Sequence, residues 1–446
     1  MRVHKRMLAI ALGLSLVAAA CGDDDDAEPA ATTAAATETT AAAAEETTTS
    51  AAAETTAAAA EETTTTAYVP PARGDADLVI WADDTRAPVL TPIAEAFAAD
   101  EGVKVSVLEV PFDKIRDNLS TAGPAGEGPD IIIGAHDWLG ELVANGAVAP
   151  IEIDNAADFA EVAINAFSYE GKLYGLPYAV ENIALIRNTD LVPTAPATFE
   201  ELEATALQLT AAGTVDIPLA IQQNPADPYH NYPLFSAVGG YVFGQNPDGS
   251  SNPADLGIDS EGGLRAAELF AKWSSEGLIS KDVSYDVMID KFSTGKAPFA
   301  ITGPWAVSSF TDAGVNFAVE PIPTVEGGTP AVFVGVQGFM VSAFSENQEL
   351  AKTFVLDYLN TEELQLQLFE AGGRPPALLS AFDQVKSDPI IAGFGLAGQV
   401  GQALPAIPEM SAVWDTWKDA YNLIFTGSDP VEQFKTAAET IRGKIG

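Results

Sequence analysis

The sequence predicts an α/β fold in two lobes, and three observations carry that expectation. From residue 76 to residue 133 strand-like and helix-like segments alternate. The alternation begins again at Ile183. About 370 residues follow Arg73, more than one hydrophobic core usually serves.

The first strand, "ADLVIWAD" (76–83), sets Val79, Ile80 and Trp81 between polar ends, the pattern of a buried strand. "TPIAEAFAADEG" (91–102) carries Ile93, Ala96 and Phe97 at helical spacing and stops at Gly102. "VKVSVLEV" (103–110) alternates over Val103, Val105 and Val107, as a strand of period two requires. Another helix and the run Ile131, Ile132, Ile133 complete a β-α-β-α-β order, the signature of a mostly parallel sheet covered by helices. The strand "IALIRN" (183–188), the helix "TFEELEATALQLTAAG" (198–213) and the strand "IPLAIQQ" (217–223) repeat the order, with Thr198 as N-cap and Glu201 as its capping-box partner. "KAPFAITGPW" and "AVFVGVQGFMVSA" alternate with helices towards the C-terminus, so the chain crosses between lobes more than once.

Ahead of this body, Arg2, Lys5 and Arg6 precede an uncharged run over 7–20, which is the plan of a secretory signal peptide. That run is too short to span a hydrocarbon core of roughly 30 Å, which needs about 20 residues. Cys21, the only cysteine, follows three alanines and resembles the lipidated cysteine of bacterial lipoproteins; ordinary cleavage nearby, leaving a free thiol, is the alternative. Residues 22–66 are almost entirely Ala, Thr, Glu and Asp, without an aromatic or a basic residue, so they cannot offset the entropy of ordering and form a self-repelling tether. The tether holds 11 of the 63 acidic residues, so most of the net charge of -41 belongs to the body. Such a surface repels nucleic acid and anionic headgroups.

Catalytic signatures are missing where they are usually found: no G-x-S-x-G, no G-x-G-x-x-G, no cysteine in the body, and Gly295-Lys296 is followed by Ala297, where a phosphate loop needs Ser or Thr. No cofactor is expected. His136 and Asp137 alone do not make a metal-ligand pattern. A two-carboxylate glycosidase stays open, with Asp137, Glu181 and Asp227 as candidates, because only their separation in space decides. In "GPDIIIGAHDWLG", Asp137 and Trp138 follow a buried strand at its C-terminal end, where ligands of open α/β sheets bind.

Seven collinear segments, "DLVIWADD", "GEGPDIIIGAHDWLGELVANGAVAPI", "YEGKLYGLPYAVENIALIRNTDLVPTAPATFEELEA", "DPYHNYPLFSAVGGYVF", "FSTGKAPFAITGPWAV", "FVGVQGFMVSA" and "IPEMSAVWDTWKDAYNLI", resemble the maltose/maltodextrin-binding proteins of ABC importers. The resemblance runs from about residue 76 to the end. It implies the two-lobed periplasmic-binding-protein fold with a ligand cleft between lobes and a hinge of several crossovers, without enzymatic activity. The expected division is 1–20 signal, 21–74 lipidated cysteine and tether, 75–180 with 336–384 as lobe 1, and 181–335 with 385–446 as lobe 2. The implied function is a lipid-anchored, monomeric protein on the outer face of the cytoplasmic membrane that hands a malto-oligosaccharide to a membrane permease. Trehalose, a cyclodextrin or a β-glucoside fits the same fold.

The positions matching sugar contacts are Asp83, Asp84, Arg86, Asp137, Glu181, Asp227, Tyr229, His230, Trp305, Trp414 and Lys418. Carboxylates and cationic donors suit sugar hydroxyls, and aromatic rings suit the C–H faces. Where the family has an aromatic ring this chain has Gly134, and where it has arginine this chain has Trp138, so Trp138 is expected to supply the stacking surface moved from position 134. Arg187 stands where the family has tyrosine.

Structural readings compete with these. Trp414, Trp417 and Tyr421 share a helical stripe that suits a core, and Trp305 after Gly303-Pro304 suits packing. Asp137 suits an N-cap, Asp227 before Pro228 a turn, and His230 a satisfied surface histidine. Glu181 lies in an apolar strand, where an unpaired carboxylate is costly, which favours a ligand role.

Overall fold

The computed structural model describes residues 68–446 except Asp248. The expected signal segment, Cys21 and the tether up to residue 67 lie outside the described residues. Among the described residues no helix is long and apolar enough to cross a membrane.

Strands β1 (Leu78–Ala82), β2 (Val105–Glu109) and β3 (Ile131–Ala135) lie parallel in the order β2-β1-β3, joined by helices α1 (Ala87–Glu101) and α2 (Phe112–Ala122). All five residues of β1 and of β3 are buried, because helices cover both faces. Helix α1 ends at Gly102 with φ of 68°, as the Gly stop predicts, but starts four residues earlier than "TPIA", with a proline in its first turn. Its buried stripe is Leu90, Ala94 and Phe97; Ala96 faces outward, contrary to the reading from sequence.

After the 3-10 turn His136–Trp138 and helix α3 (Leu139–Ala144), the chain forms β4 (Gly175–Glu181) and crosses to β5 (Ala184–Asn188). Helix α4 (Phe199–Ala211) carries the expected Thr198 cap, whose hydroxyl accepts the Glu201 N–H at 3.2 Å, while the Glu201 carboxylate reaches one residue beyond the capping-box position and accepts the Ala197 N–H at 2.9 Å. Helix α5 (Pro228–Ala237) follows, then β6 (Phe299–Thr302) and β7 (Phe317–Glu320), which flank β5 in the order β6-β5-β7. Both pairings are antiparallel, so the expected repetition of a parallel β-α-β order fails in this half. "IPLAIQQ" is not a strand. Pro218 has no N–H, and the segment touches the sheet through Ala220 alone, which bonds Phe299 and Ile301 at 2.8 and 3.1 Å.

Strand β8 (Phe333–Ser342) then runs back, antiparallel to β3 and to β4. Buried apolar residues fall into one cluster drawn from 78–179 and 336–381 and two drawn from 183–333 and 394–441. The chain passes between them at Glu181-Asn182, inside β8, and before helix α7 (Pro389–Gly398); helix α6 (Glu362–Gly372) precedes that last passage and helix α8 (Ser411–Phe425) follows it.

Asp130, just before β3, is fully buried. It accepts the Val79 N–H at 2.6 Å and the Ser345 hydroxyl, and pairs with Arg73 at 2.7 Å. Asp130→Ala is expected to cost about 3 kcal/mol of stability, the low end for breaking a buried pair because Arg73 keeps some solvent. Equilibrium urea unfolding checks it, and a loss below about 1 kcal/mol would show that water takes over Arg73 and Val79.

Candidate ligand site at the strand ends

Parallel β1 and β3 finish at one edge of their sheet, the edge at which open α/β sheets bind their ligands. β1 delivers Asp83, Asp84 and Arg86, and β3 delivers the turn His136–Trp138. Glu181 closes β4 opposite Gly335, and Gln337 pairs with Ala135, so both side chains arrive at the same edge.

Glu181 is buried and held from two sides: Gln337 Nε2 donates to it at 2.8 Å and Arg374 Nε at 2.6 Å. Arg374 follows the Gly373 cap of α6, and its guanidinium lies 5.3 Å from the centre of the Trp305 ring, a cation–π distance. Asp83 pairs with the buried Arg86 side chain and accepts its N–H at 3.1 Å. Arg86 also donates to the Tyr178 hydroxyl and lies over Phe112 at 5.2 Å. Among the described residues three buried polar atoms here have no protein partner: Arg86 Nη2, Gln337 Oε1 and the Tyr229 hydroxyl. Gly335 lies between the two groups: a Cβ there would stand 3.3 Å from the Glu181 side chain and 3.7 Å from the Tyr229 hydroxyl.

The other side is aromatic. Asp227 caps α5 by accepting the Tyr229 N–H at 2.8 Å, and pairs with His230 Nδ1 at 2.6 Å. Burial pushes the Asp227 carboxyl up, but His230 and the backbone N–H groups outweigh it and hold the pKa below its usual value. Asp227 is therefore more than a turn former, and His230 is buried rather than a surface histidine. Tyr229, His230 and Trp305 form one cluster, with Trp305 6.2 and 6.0 Å from the other two rings. Phe333 continues it from Tyr229 at 6.2 Å to Trp414 at 6.3 Å.

Trp414 closes the circuit by donating from Nε1 to Asp137 at 3.2 Å. In the helical stripe Trp417 and Tyr421 are fully buried core residues, while Trp414 stays partly exposed and turns to the site. Asp137 makes no cap bond to α3. Trp138 does not offer a stacking surface: it is 7% exposed, packed on Phe112 at 4.8 Å and on Gly134. Lys418 pairs with Asp415 on its own helix and Asp84 is exposed beside Thr85, so the structure brings neither into the cluster. Arg187 is occupied elsewhere, bidentate on Glu320.

Both nitrogens of His136 are engaged, with Val336 N–H at 3.1 Å and Leu404 O at 3.0 Å, which leaves no lone pair for a metal. Arg374, Gln337, Tyr178 and Phe333 were not singled out from the sequence. Gln337 carried a usable signal, a polar residue inside the apolar run "FVGVQGFMVSA". Arg374 carried only its place between turn formers in "GGRPP".

Burial raises the Asp137 carboxyl to about 6, opposed by Arg116 and by the Trp414 N–H. A carboxyl raised on folding favours the native state below its unfolded value near 3.8, and that advantage disappears as pH climbs through 6. Asp137→Asn is therefore expected to raise stability by about 2–3 kcal/mol at pH 7.5 and by almost nothing at pH 4. Thermal melts of both proteins from pH 4 to 8 check this, and equal melting temperatures at every pH would refute it.

Comparison with known proteins follows the same direction. The family model described as bacterial extracellular solute-binding protein matches residues 92–393. A galactooligosaccharide-binding protein of Bacillus subtilis is 33% identical over 386 residues, covering 83% of this chain and 90% of the relative. A maltooligosaccharide ABC transporter solute-binding lipoprotein of Streptococcus pneumoniae is 29% identical over 390 residues, covering 83% and 90%. The structure of a Thermus thermophilus maltotriose-binding protein bound with maltotriose superposes with a TM-score of 0.77 at 32% identity, covering 83% of this chain and all of that one.

Proposed function

The chain belongs to the bacterial extracellular solute-binding proteins, and from that premise we propose that it captures a malto-oligosaccharide and delivers it to an ABC permease. The observation that carries this reading is the surround of Glu181: a buried carboxylate, a guanidinium and three polar atoms without protein partners, facing the aromatic cluster of Trp305 and Tyr229. Hydroxyls of a pyranose fit the first set and its C–H face fits the second.

The lobes are 75–180 with 336–384, and 181–335 with 385–446. Asp83, Arg86, Asp137 and Glu181 serve from the first side of the cleft or its crossover; Asp227, Tyr229, His230, Trp305 and Trp414 serve from the other. Ligand contacts from both sides stabilise the closed state, and the permease reads that state, which works because sugar binds open and closed forms unequally. Asp84 and Lys418 have peripheral roles at most, and Trp138 acts by packing. This reading makes the protein a binder rather than a hydrolase, and it is supported by the protein partners that hold all three candidate carboxylates, Arg374 on Glu181, His230 on Asp227 and Trp414 on Asp137. Cys21 carries the lipid anchor, placing a monomer on the outer face of the cytoplasmic membrane, in line with the lipoprotein relative.

A galactooligosaccharide is the second reading, favoured by the relative at 33% identity. Calorimetric titration of the protein without its signal segment, with maltose, maltotriose, trehalose and a galactooligosaccharide, separates them. The expected result is saturable, roughly micromolar binding of maltotriose, about -8 kcal/mol, with the sugar recovered intact. Heat with the galactooligosaccharide alone transfers the assignment to it. Release of glucose from maltotriose would replace the binding reading by hydrolysis.

A further inference from the structure

His136 is buried between three chain segments that belong to different parts of the molecule. It follows β3, whose ladder with β8 stops at Ala135 opposite Gln337. The N–H of Val336 lies one step beyond that ladder and donates to His136 Nδ1 at 3.1 Å. Because a backbone N–H can only donate, Nδ1 carries the lone pair and Nε2 carries the proton. That proton meets the carbonyl of Leu404 at 3.0 Å. Val336 packs with the apolar cluster that contains β1 and β3, whereas Phe333, three residues earlier in the same strand, and Leu404 pack with the cluster that contains β5. Residues Gln402–Ala403 also pair with β8, at Phe333 and Val334. One imidazole thus ties the end of β3 to the β8 crossover and to the 402–404 strand on the far side of it.

The approach is tight on the same side. A Cβ at Gly140 in α3 would stand 2.5 Å from the backbone of Ile407 and Pro408, so the turn and helix after β3 press directly on the segment leading to α8. Burial pushes His136 down to about 4, while its two backbone bonds and the Glu181 carboxylate act in the opposite direction, so the ring stays neutral at pH 7. His136 does not line the aromatic cluster of the ligand site, and its neighbour Asp137 does the work there.

We propose that His136, in its Nε2–H tautomer, is a positioning residue that serves as the pivot of lobe closure, holding the β8 crossover and the 402–404 return strand in fixed register while the lobes rotate. This rests on the lobes moving relative to one another as described under the proposed function. Two substitutions divide its two bonds. His136→Asn retains an acceptor near the Nδ1 position and loses the donor that reaches Leu404, and His136→Gln retains the distant donor.

The test uses a chain with Cys21→Ser, which leaves no cysteine, labelled at Ala96→Cys in α1 and Leu423→Cys in α8, both exposed positions on the two sides. Single-molecule energy transfer without sugar is expected to show His136→Asn shifted and broadened towards larger lobe separation, with most of the wild-type distribution restored by His136→Gln. Maltotriose affinity should follow, at least tenfold weaker for Asn. Nitrogen-15 spectra of the unmodified protein at pH 7 are expected to show a bare Nδ1 and a protonated Nε2. A wild-type distance distribution in the Asn variant, or a proton on Nδ1, overturns the proposal. The spectra need no variant that must fold, and both measurements are made without ligand, so a failure of the sugar assignment leaves them decisive for the pivot.

Discussion

Glu181→Gln is expected to weaken malto-oligosaccharide binding roughly 10- to 100-fold, the cost of exchanging a charged hydrogen bond for a neutral one of the same shape. The carboxylate is 6% exposed and is the meeting point of Arg374 and Gln337. Glutamine keeps the volume but removes the charge opposite Arg374, whose side chain is 11% exposed. An uncompensated buried guanidinium costs about 3–5 kcal/mol, reduced here by any water that reaches it. Stability should therefore fall together with affinity. Calorimetry and thermal melting on the same samples separate the two effects. If affinity is retained while the melting temperature falls, Glu181 serves to hold Arg374 and does not touch the sugar.

Gly134→Phe restores the ring that the family resemblance implies at this position, and it is expected to destabilise this protein by at least about 3 kcal/mol. A Cβ alone at Gly134 would lie 2.5 Å from two atoms of the Trp138 ring and 2.8 Å from Met340. Trp138 cannot retreat, because Phe112 packs on it at 4.8 Å and Arg86 lies over Phe112. The two departures from the family pattern are thus one exchange of volume: glycine at 134 makes room for tryptophan at 138. A double-mutant cycle tests this. In a Trp138→Ala background Gly134→Phe should cost at least 1 kcal/mol less than in the wild type. Equal costs in both backgrounds would show that the two positions are independent.

The same pair shows how far sequence reasoning reached. The resemblance placed the departures side by side and suggested a relocated ring, but it could not tell whether that ring would face a ligand or the lobe interior. Local pattern was dependable where local physics decides. The β-α-β-α-β order of the first half, the Gly102 stop and the Thr198 cap follow from apolar period and from hydrogen bonds spanning three or four residues. It failed at "IPLAIQQ", whose strand-like composition ignores the missing N–H of Pro218, and at β5, β6 and β7, since period two carries no information about strand direction.

That Glu181 needs a partner was legible, because an unpaired carboxylate in an apolar strand is costly whatever surrounds it, but the sequence pointed to a ligand where the structure supplies Arg374 and Gln337. Its partner Arg374 was not, standing 193 residues away in a loop with no periodicity. The bond from Trp414 to Asp137 spans 277 residues and separates Trp414 from Trp417 and Tyr421, with which it shares one helical stripe.

By itself, then, the sequence determined the α/β class, the strands that end in polar clusters and most of the residues placed around the site, because hydrophobic period and capping act within a turn or a strand. Only the tertiary structure decided which carboxylate meets which cation, which tryptophan turns from the core to the site, and that His136 bonds both the β8 crossover and the 402–404 strand. Those outcomes depend on three passages of the chain between packed cores, and the packing that aligns them acts between residues that no local pattern connects.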